Sequence, residues 1–174
     1  MNETLRMVLT LTIVCVFSAV SLALVYEKTS PIIQENKVRE LNSALKKVLP
    51  DAENFEEIYP ALSGNIKRVF KGLKNNEVIG YAFLSEAPGF QSFIKVLLGT
   101  DKEKITKVVV IEHLETPGLG ERITEDDFLS QFRDKSMDYQ KFDTITGATI
   151  SSSAVISSVK ETEDYITQMI GSLK

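Results

Sequence analysis

Residues Met7 to Tyr26 carry no charged side chain and consist mainly of Leu, Val, Ile, Phe and Ala. Wound as an α-helix, such a run extends about 30 Å, the thickness of a bilayer's hydrocarbon core. The segment is therefore either a membrane helix or a signal peptide. Ser21-Leu22-Ala23 has the small-residue character of a cleavage site. The apolar run is nevertheless long for a signal core, and it continues through Leu24, Val25 and Tyr26. A retained anchor is expected over residues 1–28, with the membrane span at about 7–26.

Beyond the anchor, Thr29-Ser30-Pro31 offers a junction. The spacing of Ile33, Val38, Leu41, Leu45 and Val48 predicts a helix over Ile32 to Leu49, which Pro50 ends. Residues 29–64 are thus expected to form a connecting helix and linker, and residues 65–174 a folded domain. That domain begins with strand-like runs. Ile66 to Leu73 and Val78 to Ser85 flank a Lys74-Asn75-Asn76-Glu77 turn. Phe93 to Leu98 and Ile105 to Ile111 make a second hairpin around Gly99-Thr100-Asp101-Lys102. Thr124-Glu125-Asp126-Asp127 has capping-box spacing ahead of Phe128-Leu129-Ser130-Gln131-Phe132. Strands followed by helices predict an α+β fold: one antiparallel sheet with packed helices.

Several function classes are excluded. The net charge is −4 and the pI about 5.2, with basic residues scattered, so there is no electrostatic footprint for nucleic acid. Cys15, the only cysteine, lies in the apolar run and can support neither an internal disulfide nor a cysteine-ligated cluster. Neither G-x-G-x-x-G after a strand nor G-x-x-x-x-G-K-[ST] occurs, so nicotinamide and ATP sites are not indicated.

Two motifs carry chemistry. The first is Asp143-Thr144-Ile145-Thr146-Gly147-Ala148-Thr149. Behind it Ala148, Ser152, Val155, Val159, Ile166 and Ile170 recur at helical spacing, with Ile156 and Met169 beside them. Thr146 stands where an N-cap belongs, and Gly147 lets backbone approach a bulky group. A phosphate on Thr149 would meet unpaired amides and the positive end of a helix dipole, with Ser151 and Ser152 adding hydroxyl donors. Taken alone, T-G-A-T also reads as a Thr-capped helix. The second motif is Glu115-Thr116-Pro117-Gly118-Leu119-Gly120, after His113-Leu114 and the strand. Pro117 stiffens the turn, and Gly118 and Gly120 permit close backbone approach to a flat ring. By itself it also reads as a Pro-Gly turn.

Together, in this order, D-x-x-T-G-A-T and E-T-P-G-L-G resemble the FMN-binding subunits of the Rnf and Nqr respiratory complexes, over roughly residues 65–170. The resemblance implies an FMN-binding domain with FMN joined covalently to the Thr149 hydroxyl as a phosphoester. It implies that Asp143, Thr146, Gly147, Ala148, Ser151 and Ser152 surround the attachment site, and that Glu115, Thr116, Gly118 and Leu119 line the isoalloxazine ring. Where relatives have a Gly-Tyr-Gly-Gly-like turn, this chain has Ala87-Pro88-Gly89-Phe90-Gln91-Ser92, and no residue is carried over from it. His113 either hydrogen-bonds a flavin edge or packs as a strand-end residue.

The implied function is a membrane-anchored electron-transfer subunit of an Rnf-type ferredoxin:NAD oxidoreductase coupled to Na⁺ or H⁺ movement. It holds one flavin, no metal and no catalytic residues of its own, so it is not self-sufficient. Its partners are the other membrane and peripheral subunits, and a flavin transferase for maturation. The alternatives are the C subunit of a Na⁺-translocating NADH:quinone reductase, whose members carry extra sequence after the anchor, and a non-redox tethered binding module. The resemblance puts the domain on the outer face of the cell membrane. Lys28, Lys37, Arg39, Lys46 and Lys47 after the anchor point the other way by the positive-inside rule, which weakens when a long domain follows.

Overall fold

A computed structural model describes residues 2–58, 64–101, 104–136 and 141–172, with side chains to residue 167. The first element is a single helix, α1, Glu3–Val48 (46 residues). It runs through Pro31, so the expected break at Thr29-Ser30-Pro31 is not there. Proline removes one N–H and crowds one carbonyl, but the flanking turns keep their bonds, and the Thr29 hydroxyl donates to the Val25 carbonyl at 2.9 Å. Among the described residues α1 is the one helix long and apolar enough to cross a membrane. Leu9, Phe17, Leu22 and Leu24 on it are all exposed, as a lipid-facing helix requires.

The chain divides into two compact units, Met1–Glu40 and Leu41–Lys174. The second is built on a five-stranded antiparallel meander in the order β1-β2-β3-β4-β5. The strands are β1 Asn54–Ile58, β2 Ile66–Lys74, β3 Glu77–Pro88, β4 Phe93–Thr100 and β5 Ile105–Glu112. Asn75 and Asn76, with φ of 51° and 67°, make the two-residue turn between β2 and β3. Asparagine tolerates the left-handed region, and a turn with positive φ at both positions matches the strand twist. The β1 edge strand has no local signal, because Asn54-Phe55-Glu56-Glu57-Ile58 is short and mostly polar.

Both faces of the sheet are covered, so neighbouring strand residues are buried in opposite directions. On one face Val69, Phe83, Val96, Leu98 and Val108 pack against Val155, Val159 and Ile166 of α3, Thr149–Ser172. On the other, Phe70, Ala82, Leu84 and Leu97 pack against Ala44, Leu45, Val48 and Leu49 at the end of α1. The Thr106 hydroxyl donates to the Val48 carbonyl at 2.6 Å, satisfying an acceptor left free at the helix C-terminus.

Between β5 and α3 lie a 3₁₀ turn, Gly120–Thr124, then α2, Asp126–Leu129, and a second 3₁₀ turn, Ser130–Phe132. The expected capping box at Thr124 does not form. Thr124 ends the first 3₁₀ turn with its hydroxyl on the Glu121 carbonyl at 2.9 Å, and Glu125 precedes α2 without a side-chain cap. Phe128 and Phe132, 5.5 Å apart edge to face, seal this segment onto the core. Met169 and Ile170, expected on the apolar side of α3, lie outside the residues whose side chains are described.

Candidate functional site

The first turn of α3 follows from three residues. Gly147 adopts φ 85°, a conformation other residues rarely reach, and reverses the chain just before the helix. The Ala148 N–H donates to the Ile145 carbonyl at 3.0 Å, and Ser152 N–H returns to the Ala148 carbonyl at 2.9 Å. The helix therefore starts at Thr149, not behind a Thr146 cap. Thr146 is exposed, three residues before the helix starts, and Ser152 ties the segment before the helix to its first turn. Its buried hydroxyl accepts from Ile145 N–H at 3.2 Å and donates to the Ala148 carbonyl at 2.8 Å. The amides of Thr149, Ile150 and Ser151 stand in the first helical turn, where no intrahelical acceptor exists. Thr149 is exposed among them.

The E-T-P-G-L-G loop comes up beside this turn. Thr116 O accepts from both Leu119 N and Glu121 N at 3.2 Å, which closes the loop around Gly118 at φ 72°. Gly118 N–H donates to Glu121 Oε2 at 3.2 Å. Glu115, only 5% exposed, turns inward. Its Oε1 accepts from the backbone N–H of Phe90 at 3.0 Å and of Gln91 at 3.2 Å, and its Oε2 from the Ser151 hydroxyl at 2.5 Å. Three segments distant in sequence are thereby tied at one carboxylate.

Between them lies a groove of about 290 Å³. Gly147, Ala148, Thr149 and Ser151 line it from the helix side, and Glu115, Thr116 and Leu119 from the loop. The structure thus brings these seven sequence-expected residues together. Gly120, expected to let the backbone approach a ring, lines it too, and two lining residues were not expected: Phe90 and Ile150. Phe90 and Ile150 are 65% and 54% exposed, and with Leu119 at 46% they give the groove apolar walls open to solvent. A large apolar residue directly after the Pro88-Gly89 turn was the available signal for Phe90.

Other expectations need correction. Asp143 and Thr146 do not line this groove; they lie in a neighbouring cleft with Arg122 and Glu125. Asp143 is held there through its backbone, its N–H donating to Gln131 Oε1 at 2.8 Å. Ser152 is fully buried beneath the helix start and does not reach the groove. The hydroxyls of Ser151 and Ser152 are both used inside the protein, so neither is a donor for a phosphate. Gly118 shapes the loop without lining the groove. Glu115 has both oxygens engaged by protein donors. His113 Nδ1 accepts from Glu115 N–H at 3.3 Å, as a strand-end residue bracing the loop.

The groove suits an anionic group bearing a flat apolar ring. Helix amides and an exposed hydroxyl stand at one side, apolar walls at the other, and none of its lining residues is a lysine or arginine. An anion would be held by the helix terminus.

Comparison with known sequences agrees. The family model for the FMN-binding domain matches residues 89–163. The G subunit of the proton-translocating ferredoxin:NAD(+) oxidoreductase complex of Clostridium ljungdahlii is 31% identical over 92% of this chain and 90% of its own. The G subunit of the ion-translocating oxidoreductase complex of Methanosarcina acetivorans is 31% identical over 98% of each chain. Among solved structures, Shewanella oneidensis NqrC matches with TM-score 0.46 and 24% identity over 53% of each chain.

Proposed function

The chain belongs to the G-subunit family of Rnf-type ion-translocating oxidoreductase complexes, and from that premise we propose that it carries FMN on Thr149 and relays electrons between other subunits. The observation that carries this reading is the exposed Thr149 at the start of α3, lining a groove with apolar walls. The amides of the first helical turn would hold the phosphate, and the dipole of α3 would favour its charge. Leu119 and Ile150 would give the ring apolar contact, while Thr116 and Gly118 set the loop beside it. When bound, FMN supplies reversible one- and two-electron transfer.

In this reading the Thr149 oxygen bonds the phosphorus of an FMN unit supplied as a phosphoanhydride. The anhydride P–O bond breaks, the other phosphate leaves, and the hydroxyl proton goes to a base of the attaching enzyme. A separate flavin transferase attaches the FMN, since the chain has no recognisable machinery for doing so. Asp143 and Thr146, exposed in the adjacent cleft, are free to be read by that enzyme. Electrons then pass in a ferredoxin:NAD oxidoreductase whose other subunits bind the two substrates and move Na⁺ or H⁺. The near end-to-end match to G subunits favours this assignment over an Nqr-type C subunit.

Denaturing gel electrophoresis tests attachment, because only covalent flavin keeps its fluorescence on the band. The native chain should fluoresce and Thr149→Ala should not. A dark native band would leave a tethered binding module as the better reading. The domain is proposed to face the outer side of the membrane. Since the only cysteine, Cys15, lies in the apolar segment, Cys15→Ala with the exposed Lys74→Cys gives a single probe site. A membrane-impermeant maleimide should label it in intact cells.

A further inference from the structure

The groove has a wall from the Ala87-to-Ser92 turn, where this chain departs from the turn of its relatives. Phe90 lines it while remaining 65% exposed, so core packing does not hold the ring in place. What holds it is the backbone beneath. Glu115 Oε1 accepts from the N–H groups of Phe90 and Gln91, and Gln91 Nε2 donates to Thr116 Oγ1 at 3.2 Å. The turn is closed by Gly89 N–H on the Ser92 carbonyl at 2.8 Å. A Cβ at Gly89 would stand 2.4 Å from Glu115 Oε1, so only glycine lets the turn seat on the carboxylate. From the other side Glu115 Oε2 takes the Ser151 hydroxyl, two residues after Thr149.

Burying a carboxylate is costly and is offset only by full hydrogen bonding, which these three donors provide. Such a group fixes geometry well, because moving any one segment leaves a buried charge underbonded. We propose that Glu115 is a positioning residue and that Phe90 is a further binding residue for the flat ring of the flavin. Glu115 acts through the Phe90 and Gln91 amides, setting the Phe90 wall relative to Thr149. The Phe90 ring would then offer the isoalloxazine an aromatic contact. The inference rests on the proposed flavin at Thr149.

The test uses the full-length, flavinylated chain in detergent, with iodide quenching of flavin fluorescence and the flavin absorbance maximum as readouts. Phe90→Ala removes the wall and should increase quenching and shift the maximum. Glu115→Ala should do the same with Phe90 present, and Glu115→Gln, which keeps the shape and an acceptor oxygen, should restore values close to native. Because Glu115 acts through Phe90, Glu115→Ala in the Phe90→Ala background should add little further change. A full additional change in that background would overturn the positioning role. Phe90 is exposed, so its variant keeps the fold, and native readouts in Phe90→Ala with the adduct present would overturn the proposal alone. A native chain without an adduct would overturn the functional reading and this inference together.

Discussion

The Ser151 hydroxyl donates to the Glu115 carboxylate at 2.5 Å across a separation of 36 residues, and this bond joins the loop after β5 to the first turn of α3. Both partners are buried, so water cannot replace the donor when it is lost. Ser151→Ala should therefore cost roughly 2 kcal/mol, as expected for a hydrogen bond to a charged group. The urea midpoint should fall with the slope unchanged. An unmoved midpoint would mean that the bond contributes nothing to holding the site.

Gly147 and Gly118 separate strain from crowding. Both have positive φ, 85° and 72°, so alanine at either should cost about 1–2 kcal/mol in backbone strain. Only at Gly147 does the added Cβ meet a neighbour, Leu119 Cδ1 at 3.1 Å; at Gly118 it meets nothing within 4 Å. Gly147→Ala should therefore displace Leu119 and shift the flavin spectrum. Gly118→Ala should lower the melting temperature and leave the spectrum as it was. Equal spectral shifts would contradict Leu119 as a groove wall.

The end of α1 is part of the domain's core. Leu45, Val48 and Leu49 are 1%, 0% and 3% exposed, against Phe70, Ala82, Leu84 and Leu97. Their burial is worth roughly 5–9 kcal/mol in sum, from about 1.5–3 kcal/mol per aliphatic side chain. That is comparable to the whole stability of a typical domain, about 5–15 kcal/mol. A fragment starting at residue 41 should melt cooperatively by circular dichroism, and one starting at residue 50 should not. A cooperative transition in the shorter fragment would contradict this role.

On β1 and β2, Arg68 hydrogen-bonds Glu57 at 2.6 and 2.5 Å. These bonds hold the Glu57 carboxyl below the usual carboxylate range; partial burial opposes the shift, and the Arg68 charge adds to it. A lowered carboxyl pKa contributes stability above its unfolded value, and that stability is lost as pH falls through the folded value. Both side chains are partly exposed, so the contribution is under about 1 kcal/mol. Arg68→Ala should be slightly less stable than native at neutral pH. The gap should close on acidification below the carboxylate range, whereas a gap that widens in acid would contradict the pairing.

How much of this was legible in the sequence depends on the range of the forces involved. Strands β2 to β5 were readable because β-branched runs and the Asn75-Asn76 turn are local signals. The anchor was readable from its lack of charge. The continuity of α1 through Pro31 was not, since proline marks a break unless the surrounding turns hold. Nor was β1, whose place depends on pairing with β2 rather than on its own composition. At the site, Thr149 and Leu119 fell in one groove as the motifs implied. Glu115 looked like a ring contact from its position in the loop, but its oxygens are taken by Phe90, Gln91 and Ser151, partners that only tertiary structure reveals. The same holds for Ser152, whose hydroxyl takes the Ile145 N–H and donates to the Ala148 carbonyl instead of reaching a phosphate.

The proposed electron relay requires FMN on Thr149, which peptide mass spectrometry can read residue by residue in the chain purified from cells that also make a flavin transferase. The expected result is an FMN-sized adduct on the peptide containing Thr149, with fragment ions that assign it to that residue, and its loss in Thr149→Ala. An adduct on Ser151, or one retained after Thr149→Ala, would contradict the attachment.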